Sequence, residues 1–319
     1  DYAVTGVQTC ALPIWLVGYQ DLHSVIRFIA SDDPRTRVRT TRGMEDISPT
    51  RNFRLPVSKE RVIANGTVAP EDSALIVPAI EWTFAGSGLQ KNHLMVLDFL
   101  VANNWERPVY FAITTGNDAY MGLEEHFQLE GMAYRLVPIR TPVVEGQLGR
   151  IETDILYNNM MNKFVWGNMN HPDVVLNEDI RRLSVNFMNV FQRLAFALIE
   201  ENKNDSAIAV VDRAMELMPL SRINANYFTL LAAEAYLMAG EKNKGEELLK
   251  EIANQYSEHL AYYFRITGFK AAHLDRNKQE GLAVLQRISM LAETFDLPEL
   301  RSEARARFEQ FIEMYSQGM

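Results

Sequence analysis

An internal repeat in the C-terminal half is the feature that most constrains the fold of this chain. Three segments align with one another, over residues 196–219, 234–256 and 270–292. Ala197, Ala235 and Ala271 take matching positions, 38 and 36 residues apart. This spacing is close to the roughly 34 residues of a tetratricopeptide repeat, a pair of helices that stacks on its neighbours. The spacing therefore predicts a helical repeat array, and an irregular helical bundle with chance register is the alternative.

The turns and small residues inside the three segments favour the same register. Polar turns are expected at 202–204, 240–243 and 276–278, then small residues at Ala207, Gly245 and Gly281, and apolar ones at Val211, Leu249 and Leu285. Small residues recur where paired helices approach closely, because larger side chains would hold them apart. Pro219 ends the first unit, and residues 299–317 resemble a capping helix with a more polar outer face. We predict an all-α domain over 174–319, made of tetratricopeptide-like helical repeats with a C-terminal capping helix.

The region before the repeats mixes helical and strand-like patterns. Residues 19–31 and 86–105 have helical periodicity, whereas the apolar runs 74–84, 107–115 and 131–139 resemble strands. Pro78 confines part of the first of these runs to a sheet edge, because proline cannot donate a ladder hydrogen bond. Helices that alternate with strands predict a mixed α/β (α+β) soluble domain over residues 15–173.

Composition excludes several classes of protein. The 319 residues carry a net charge of −9, which argues against a nucleic-acid binder and against docking to an anionic membrane surface. Apolar residues make up 47% of the chain, enough for sizeable cores. The sequence has no apolar run near the roughly 18 residues of a membrane span, so we expect no direct span in this portion.

The first fourteen residues form a separate problem. They contain no Lys or Arg and no long apolar run, so they do not form a secretory signal. Residues 4–14, "VTGVQTCALPI", resemble the in-frame translation of a sequencing-library adapter. We therefore predict that residues 1–14 are an artefactual or unstructured leader, that the single cysteine, Cys10, is accidental, and that the gene was truncated before Trp15.

Side-chain patterns indicate no catalytic or metal site. The six histidines are scattered and none has metal-ligand spacing. His126 beside Glu124 and Glu125 is the most suggestive group, and a solvated helix face is the favoured interpretation over an acid/base pair. The loop with Gly86 and Gly88 precedes a helix as an anion site would, but it lacks a complete P-loop motif, so a plain loop is favoured. We therefore predict no catalytic residue, no metal and no cofactor in this portion.

The segment "NNWERPVYFA" holds the candidate ligand or interface residues: Asn104, Trp105, Arg107 and Tyr110. Asn104 is expected to end a helix, because asparagine tolerates left-handed geometry. Arg107 is expected to pair with a carboxylate such as Glu106 or Glu130. A structural corner is the favoured interpretation, and a Trp–Arg pair that faces a ligand is the alternative. Asn65 also begins a glycosylation sequon, "NGT", a pattern short enough to arise by chance.

Longer segments of the first region resemble a known family. They are "IASDDPRTRV", "FRLPVSKERVIANGTVAPED", "KNHLMVLDFLVANNWERP" and the run from Asn103 to Ile139. In the same order, they resemble the post-membrane part of a bacterial multi-pass membrane family related to protein O-mannosyltransferases. The resemblance covers about 15–173, and the family's tetratricopeptide helices account for the rest. It implies a GT-C type glycosyltransferase with a polyprenyl-phosphate sugar donor and a catalytic carboxylate in an early outer loop. No catalytic residue carries over, because the matching positions lie upstream.

Three functions follow as expectations. In the first, the chain is a non-catalytic soluble fragment of such a membrane glycosyltransferase, on the extracytoplasmic (periplasmic) side of the bacterial inner membrane. It would aid engagement of the acceptor protein or the stability of the membrane part, so its partners would be the acceptor polypeptide or its own membrane domain. The concave surface of helical repeats suits a peptide. In the second, the chain is a free-standing repeat scaffold for protein–protein interaction. In the third, the first domain has its own sugar-binding or hydrolytic activity.

Overall fold

A computed structural model describes residues 10–11, 16–40, 43–144 and 147–317. The chain divides into two compact units, an N-terminal and a C-terminal one, between Glu152 and Thr153. The boundary predicted after residue 173 stays a prediction, and the division by contacts falls earlier in the chain. Within the predicted leader only Cys10 and Ala11 are described, and they form a two-residue strand. The predictions for the rest of residues 1–14 lie outside the described residues.

The N-terminal unit alternates short strands with short helices. Its strands are β1 (Cys10–Ala11), β2 (Gln20–Asp21), β3 (Arg37–Thr40), β4 (Gly43–Asp46), β5 (Asn52–Pro56), β6 (Ala79–Thr83), β7 (Gly88–Leu89), β8 (Tyr110–Ala112), β9 (Phe127–Leu129), β10 (Ala133–Leu136) and β11 (Arg150–Ile151). Its α-helices are α1 (Leu22–Ile29), α2 (Lys59–Ala64), α3 (Lys91–Asn103) and α4 (Asn117–Tyr120), and its 3₁₀ helices are Pro34–Thr36, Pro70–Leu75 and Glu124–His126. The mixed α/β character predicted from the sequence is confirmed.

The strands of this unit form several small sheets. A three-stranded sheet has the order β2–β5–β6, in which β2 runs parallel to β5 and β6 antiparallel to it. A four-stranded sheet has the order β11–β9–β10–β8, and two-stranded pairs join β3 with β4 and β1 with β7. Strand β6 begins directly after Pro78 and lies at the edge of its sheet, as that proline predicts.

Aromatic rings fill the interior of the N-terminal unit. Phe53 on β5 packs on Trp82 of β6, with ring centroids 5.4 Å apart. Phe127 on β9 stacks on Tyr134 of β10 at 5.4 Å and meets the edge of Tyr120 at 5.1 Å. Rings of this size contribute much of the buried apolar area of a core. They also hold the 3₁₀ helix Glu124–His126 in place, since it leads directly into β9.

The C-terminal unit is helical. Its α-helices are α5 (Thr153–Tyr157), α6 (Glu178–Glu200), α7 (Asn204–Leu217), α8 (Tyr227–Met238), α9 (Lys242–Arg265), α10 (Phe269–Ala272), α11 (Asp275–Thr294) and α12 (Pro298–Ser316), and a π-helix spans Asn158–Lys163. Helix α6 packs on α7, α8 on α9, and α11 on both α9 and α12. The predicted helical character of this half is therefore confirmed.

Two of the predicted small positions lie where helices touch. A Cβ added to Gly245 of α9 would be 2.6 Å from the Leu237 side chain of α8. A Cβ added to Gly281 of α11 would be 2.9 Å from the Leu260 side chain of α9. Ala207 is fully buried in α7. The small residues therefore allow the close packing that their register predicts.

The third predicted turn is wrong in position. Residues 276–278 lie inside α11, and the turn before that helix is at His273 and Leu274. The helix before the turn, α10, is only four residues long. Lys278 is buried, with its ammonium 4.6 Å from the ring centroid of Phe264. Lys278 is polar, and the sequence therefore predicts it in a turn, but it is a helical residue whose apolar stem packs inward.

Across the described ranges, no helix is both long and apolar enough to cross a membrane.

Candidate functional site

The predicted site segment forms the corner at the end of α3. Asn104 caps this helix in the left-handed region, with φ 41°, as predicted. The next residue, Trp105, also has a positive φ, 61°. The Asn103 side chain forms two hydrogen bonds across the corner. Its Nδ2 donates to the Arg107 carbonyl at 2.8 Å, and its Oδ1 accepts from the Arg107 amide at 3.2 Å. Hydrogen bonds within the corner stabilise two consecutive left-handed residues.

Trp105 lies inside this corner and does not face solvent. Its side chain is 5% exposed, and its Nε1 donates to the Pro56 carbonyl at 2.8 Å. Its own carbonyl accepts from Nδ2 of Asn65 at 2.6 Å. The burial and the hydrogen bonds favour the structural-corner interpretation. The same contact occupies the amide nitrogen of Asn65, the atom that a glycan would need.

Arg107 and Tyr110 diverge after the corner. Arg107 is exposed and forms no ion pair within the part of the chain that the structure describes, so its predicted pairing with Glu106 or Glu130 is wrong. Glu130 bonds Arg135 instead, at 3.4 Å. The hydroxyl of Tyr110 donates to Oε2 of Glu130 at 2.8 Å. Burial, and then this carboxylate, raise the pKa of Tyr110.

Glu130 is the centre of a buried polar cluster. Gln128 donates to its Oε1 at 2.8 Å, and Arg135 reaches on to the hydroxyl of Thr67 at 3.3 Å. The side chains of Glu130 and Arg135 are 6% and 10% exposed. An ion pair this deep is held in place by its hydrogen bonds, because each charge has lost its water. The cluster joins β9 and β10 to the loop after α2, and its arrangement is structural.

His126 has a different environment from the predicted one. It is 3% exposed, so the interpretation as a solvated helix face is wrong. The cause is the packing of β9, which begins at the next residue. Burial lowers the pKa of His126, although the backbone at Ile139 and the carboxylate of Glu125 act the other way. Its Nδ1 has no hydrogen-bond partner in the described structure.

A cleft of about 340 Å³ opens beside His126. Arg54 on β5 and Glu81 on β6 face each other in register and form an ion pair of 3.3 Å along its wall. Arg140, bonded to Glu125 at 2.6 Å, and Tyr19 also line it. The cleft thus combines hydrogen-bond donors and an acceptor with apolar side chains, the usual composition of a small-molecule site. The sequence gives little sign of this cleft, since its polar residues come from five distant segments.

Another cavity, of about 290 Å³, lies beside the corner. Asn104 lines it together with Asp21, His23 and Pro56. Of the four predicted site residues, only Asn104 contributes to this cavity. Asp21 already caps α1 by accepting from the amide of Ser24 at 3.0 Å, so one of its two carboxylate oxygens is committed to the helix.

The glycine loop before α3 is closed by its own side chains. The amide of Gln90 donates to Nδ1 of His93 at 3.1 Å, and Nε2 of His93 lies 3.0 Å from Oδ2 of Asp118. A Cβ on Gly86 would overlap the ring of Phe84, at 2.4 Å. The helix N-terminus is therefore capped from within the chain, as the plain-loop interpretation expects.

In the C-terminal unit a pocket of about 150 Å³ is lined by residues of both α9 and α11. Asn224, His259, Tyr263 and Asn277 line it. At its edge the hydroxyl of Tyr256 donates to Glu280 at 3.2 Å. The side-chain amides of Asn224 and Asn277 offer both donors and acceptors, as a peptide backbone does. The described residues hold no group of three or more His, Cys, Asp or Glu side chains placed for a metal ion.

Comparison with known proteins gives one result. No curated protein and no solved structure matches this chain. One family model does match, over a segment that is just under half of the chain and holds the α3 corner, the Glu130 cluster and the His126 cleft. Over residues 12–155 the chain is similar to the family described as TMEM260-associated domain 2.

Proposed function

We propose that this chain is the non-catalytic C-terminal portion of a membrane glycosyltransferase related to protein O-mannosyltransferases. The observation that carries the proposal is the match of residues 12–155 to TMEM260-associated domain 2. The order of the segments between residues 29 and 139, which resembles the post-membrane part of such proteins, supports it. In this proposal the catalytic carboxylate and the site for a polyprenyl-phosphate sugar belong to membrane helices upstream. The portion described here lies on the extracytoplasmic, periplasmic side of the inner membrane.

The C-terminal unit is, in this proposal, a tetratricopeptide-like array. Helices α6 and α7, and α8 and α9, are sequence neighbours that pack as pairs. Gly245 and Gly281 each lie at a close helix–helix contact, which supports a small position in each of two successive units, although their partners, Leu237 and Leu260, are not equivalent in the register. The short α10 makes the third unit atypical, as a terminal repeat often is.

The role of the array is to engage the acceptor polypeptide. The pocket beside α9 and α11 supports this role, because Asn224 and Asn277 are exposed and their amides can pair with a peptide backbone. His259 and Tyr263 add rings 6.1 Å apart that can pack on a peptide side chain. Binding energy from such remote contacts positions an acceptor for a reaction elsewhere in the protein.

Kinetics of the full-length protein test this role. Asn277→Ala removes one amide from the pocket, so we expect KM for a polypeptide acceptor to rise by roughly three- to tenfold with kcat unchanged, the effect of one lost hydrogen bond. Asn243→Ala is the matched control, since Asn243 is also exposed in the first turn of a helix but lies outside the pocket. An equal change in both variants, or a loss confined to kcat, would contradict acceptor capture. A full-length protein that transfers no sugar would contradict the wider proposal.

A further inference from the structure

The cleft beside His126 has no part in acceptor capture, which belongs to the C-terminal unit. Its polar wall is built on strands, because Arg54 of β5 and Glu81 of β6 are directly opposite one another in the antiparallel ladder. Side chains paired in this way project from the same face of a sheet. Arg140, which pairs with Glu125, also lines the cleft. The space that these side chains line is about 340 Å³.

The charge of the cleft is close to balanced. Each guanidinium already pairs with a carboxylate. Arg54 lies 3.3 Å from Glu81, and Arg140 lies 2.6 Å from Glu125. His126 is neutral at neutral pH, because burial lowers its pKa. A free anion would therefore meet little net positive charge, and it would have to displace a carboxylate to bond either arginine. A neutral ligand with both donors and acceptors would face no such competition.

The other walls suit the carbon skeleton of such a ligand. Tyr19 is 45% exposed at the rim, and its hydroxyl lies close enough to Arg140 to affect the pKa of that arginine. Val77, Pro78 and Ala79 add an apolar strip. His126 also lines the cleft, but its Nδ1 is buried, so the polar contacts of a ligand fall to Arg54, Glu81 and Arg140.

We propose that this cleft binds a neutral saccharide unit, whose hydroxyls bond the Arg54–Glu81 pair and whose apolar ring face packs against Tyr19. A hydroxyl is both a donor and an acceptor, so neighbouring hydroxyls can bridge a guanidinium and a carboxylate that lie side by side. The volume lies near the lower end of typical ligand pockets, which fits one or two sugar rings. The site is a binding site without chemistry of its own. It is independent of acceptor capture, since the two lie in different units and take different ligands.

Saturation-transfer NMR on the intact chain tests this proposal. The probes are neutral methyl glycosides of mannose, glucose, galactose and N-acetylglucosamine, with inorganic phosphate titrated in parallel by chemical-shift perturbation. We expect the protein to transfer saturation to at least one glycoside, which reports its binding. Arg54→Gln and Glu81→Gln should each weaken it about tenfold or more, because each removes a hydrogen bond to a charged group.

Arg37→Gln is the matched control. Arg37 also lies on a strand and pairs with the carboxylate of Asp46 at 2.8 Å, and its side chain is 39% exposed against 40% for Arg54, but it does not line the cleft. Glycoside binding by the Arg37→Gln variant should equal that of the unsubstituted chain. Thermal unfolding of each variant shows that loss of binding is not loss of fold. The proposal would be overturned if no glycoside received saturation from the protein, if all variants bound glycosides equally, or if only phosphate bound saturably.

Discussion

The two units of this chain stabilise their interiors in different ways. The N-terminal unit places a charged cluster around Glu130 among aromatic rings, and its members come from segments up to 68 residues apart in the sequence. The C-terminal unit joins neighbouring helices through small residues such as Gly245, whose contacts lie within about one repeat. The first interior depends on the pairing of the buried charges of Glu130 and Arg135, and the second depends on small side chains where its helices touch. Substitutions of opposite kinds should therefore damage them.

Loss of the buried carboxylate should have the largest effect. Glu130→Gln leaves the guanidinium of Arg135 buried without its counter-charge, so we expect a loss of about 3–5 kcal/mol in the free energy of unfolding. Urea unfolding measures it, and hydrogen exchange should rise in β9 and β10 but not in α8 or α9. Asp33→Asn breaks the exposed pair with Arg35 as a control and should change stability far less, because solvent screens an exposed ion pair. Similar losses in both would show that the N-terminal unit does not depend on its buried cluster.

Added volume between α8 and α9 should have the next largest effect. Gly245→Val places atoms where the Leu237 side chain and the Ala233 carbonyl already lie, at 2.6 and 3.1 Å from the new Cβ. We expect a loss of about 1–3 kcal/mol from overpacking, and still more for Gly245→Trp or Ala235→Trp. Glu247→Val on the exposed side of the same helix should change stability by no more than about 0.5 kcal/mol. Unchanged thermal melting of the Gly245 variants would refute the repeat register.

The corner at the end of α3 should show a smaller effect. Trp105→Phe removes the hydrogen bond from Nε1 to the Pro56 carbonyl, so we expect a cost of about 1 kcal/mol beyond the loss of ring area. Trp82→Phe is a matched control, because Trp82 is equally buried and its Nε1 has no partner in the described structure. The difference between the two variants isolates the hydrogen bond. If Trp82→Phe costs as much as Trp105→Phe, the corner is held by packing alone.

Titration of His126 should have the smallest effect at neutral pH. Its pKa in the folded chain is below the ordinary value of 6.5, so the unfolded chain takes up a proton first as the pH falls. The neutral side chain therefore contributes stability above pH 6.5 that is lost progressively below it. Urea unfolding between pH 7.5 and 5, about the range of histidine titration, should show a steeper decline for the parent than for His126→Gln. Equal slopes for the parent and His126→Gln would show that the burial of His126 does not couple its protonation to stability.

The same contrast explains what the sequence could predict. Periodicity and small residues are local signals, so the helices and the positions of Ala207, Gly245 and Gly281 follow from the sequence. The end of α3 at Asn104 follows from a local preference as well. The predicted position of the third turn is wrong, because polar side chains such as those at 276–278 also occur within helices. Here the residues lie in α11, and the stem of Lys278 packs on Phe264.

Contacts between distant segments were not predictable in the same way. Adjacent residues indicate a solvated His126, yet it is buried, and its carbonyl accepts from the amide of Val137, which follows β10. Glu130 was expected to pair with Arg107 and pairs with Arg135, because β9 and β10 form an antiparallel ladder that places the two on one sheet. The His126 cleft combines Tyr19, Arg54 and Arg140, and no short motif contains all three.

Long-read sequencing of the gene that encodes this chain tests the proposed function most directly. The proposal predicts an open reading frame that continues upstream of Trp15 in the same frame and encodes several apolar segments of about 20 residues each, the length of a membrane helix. It also predicts that residues 4–14 are absent from the genomic sequence. A start codon near Trp15 with no upstream membrane segments would contradict the proposal and favour a free-standing scaffold.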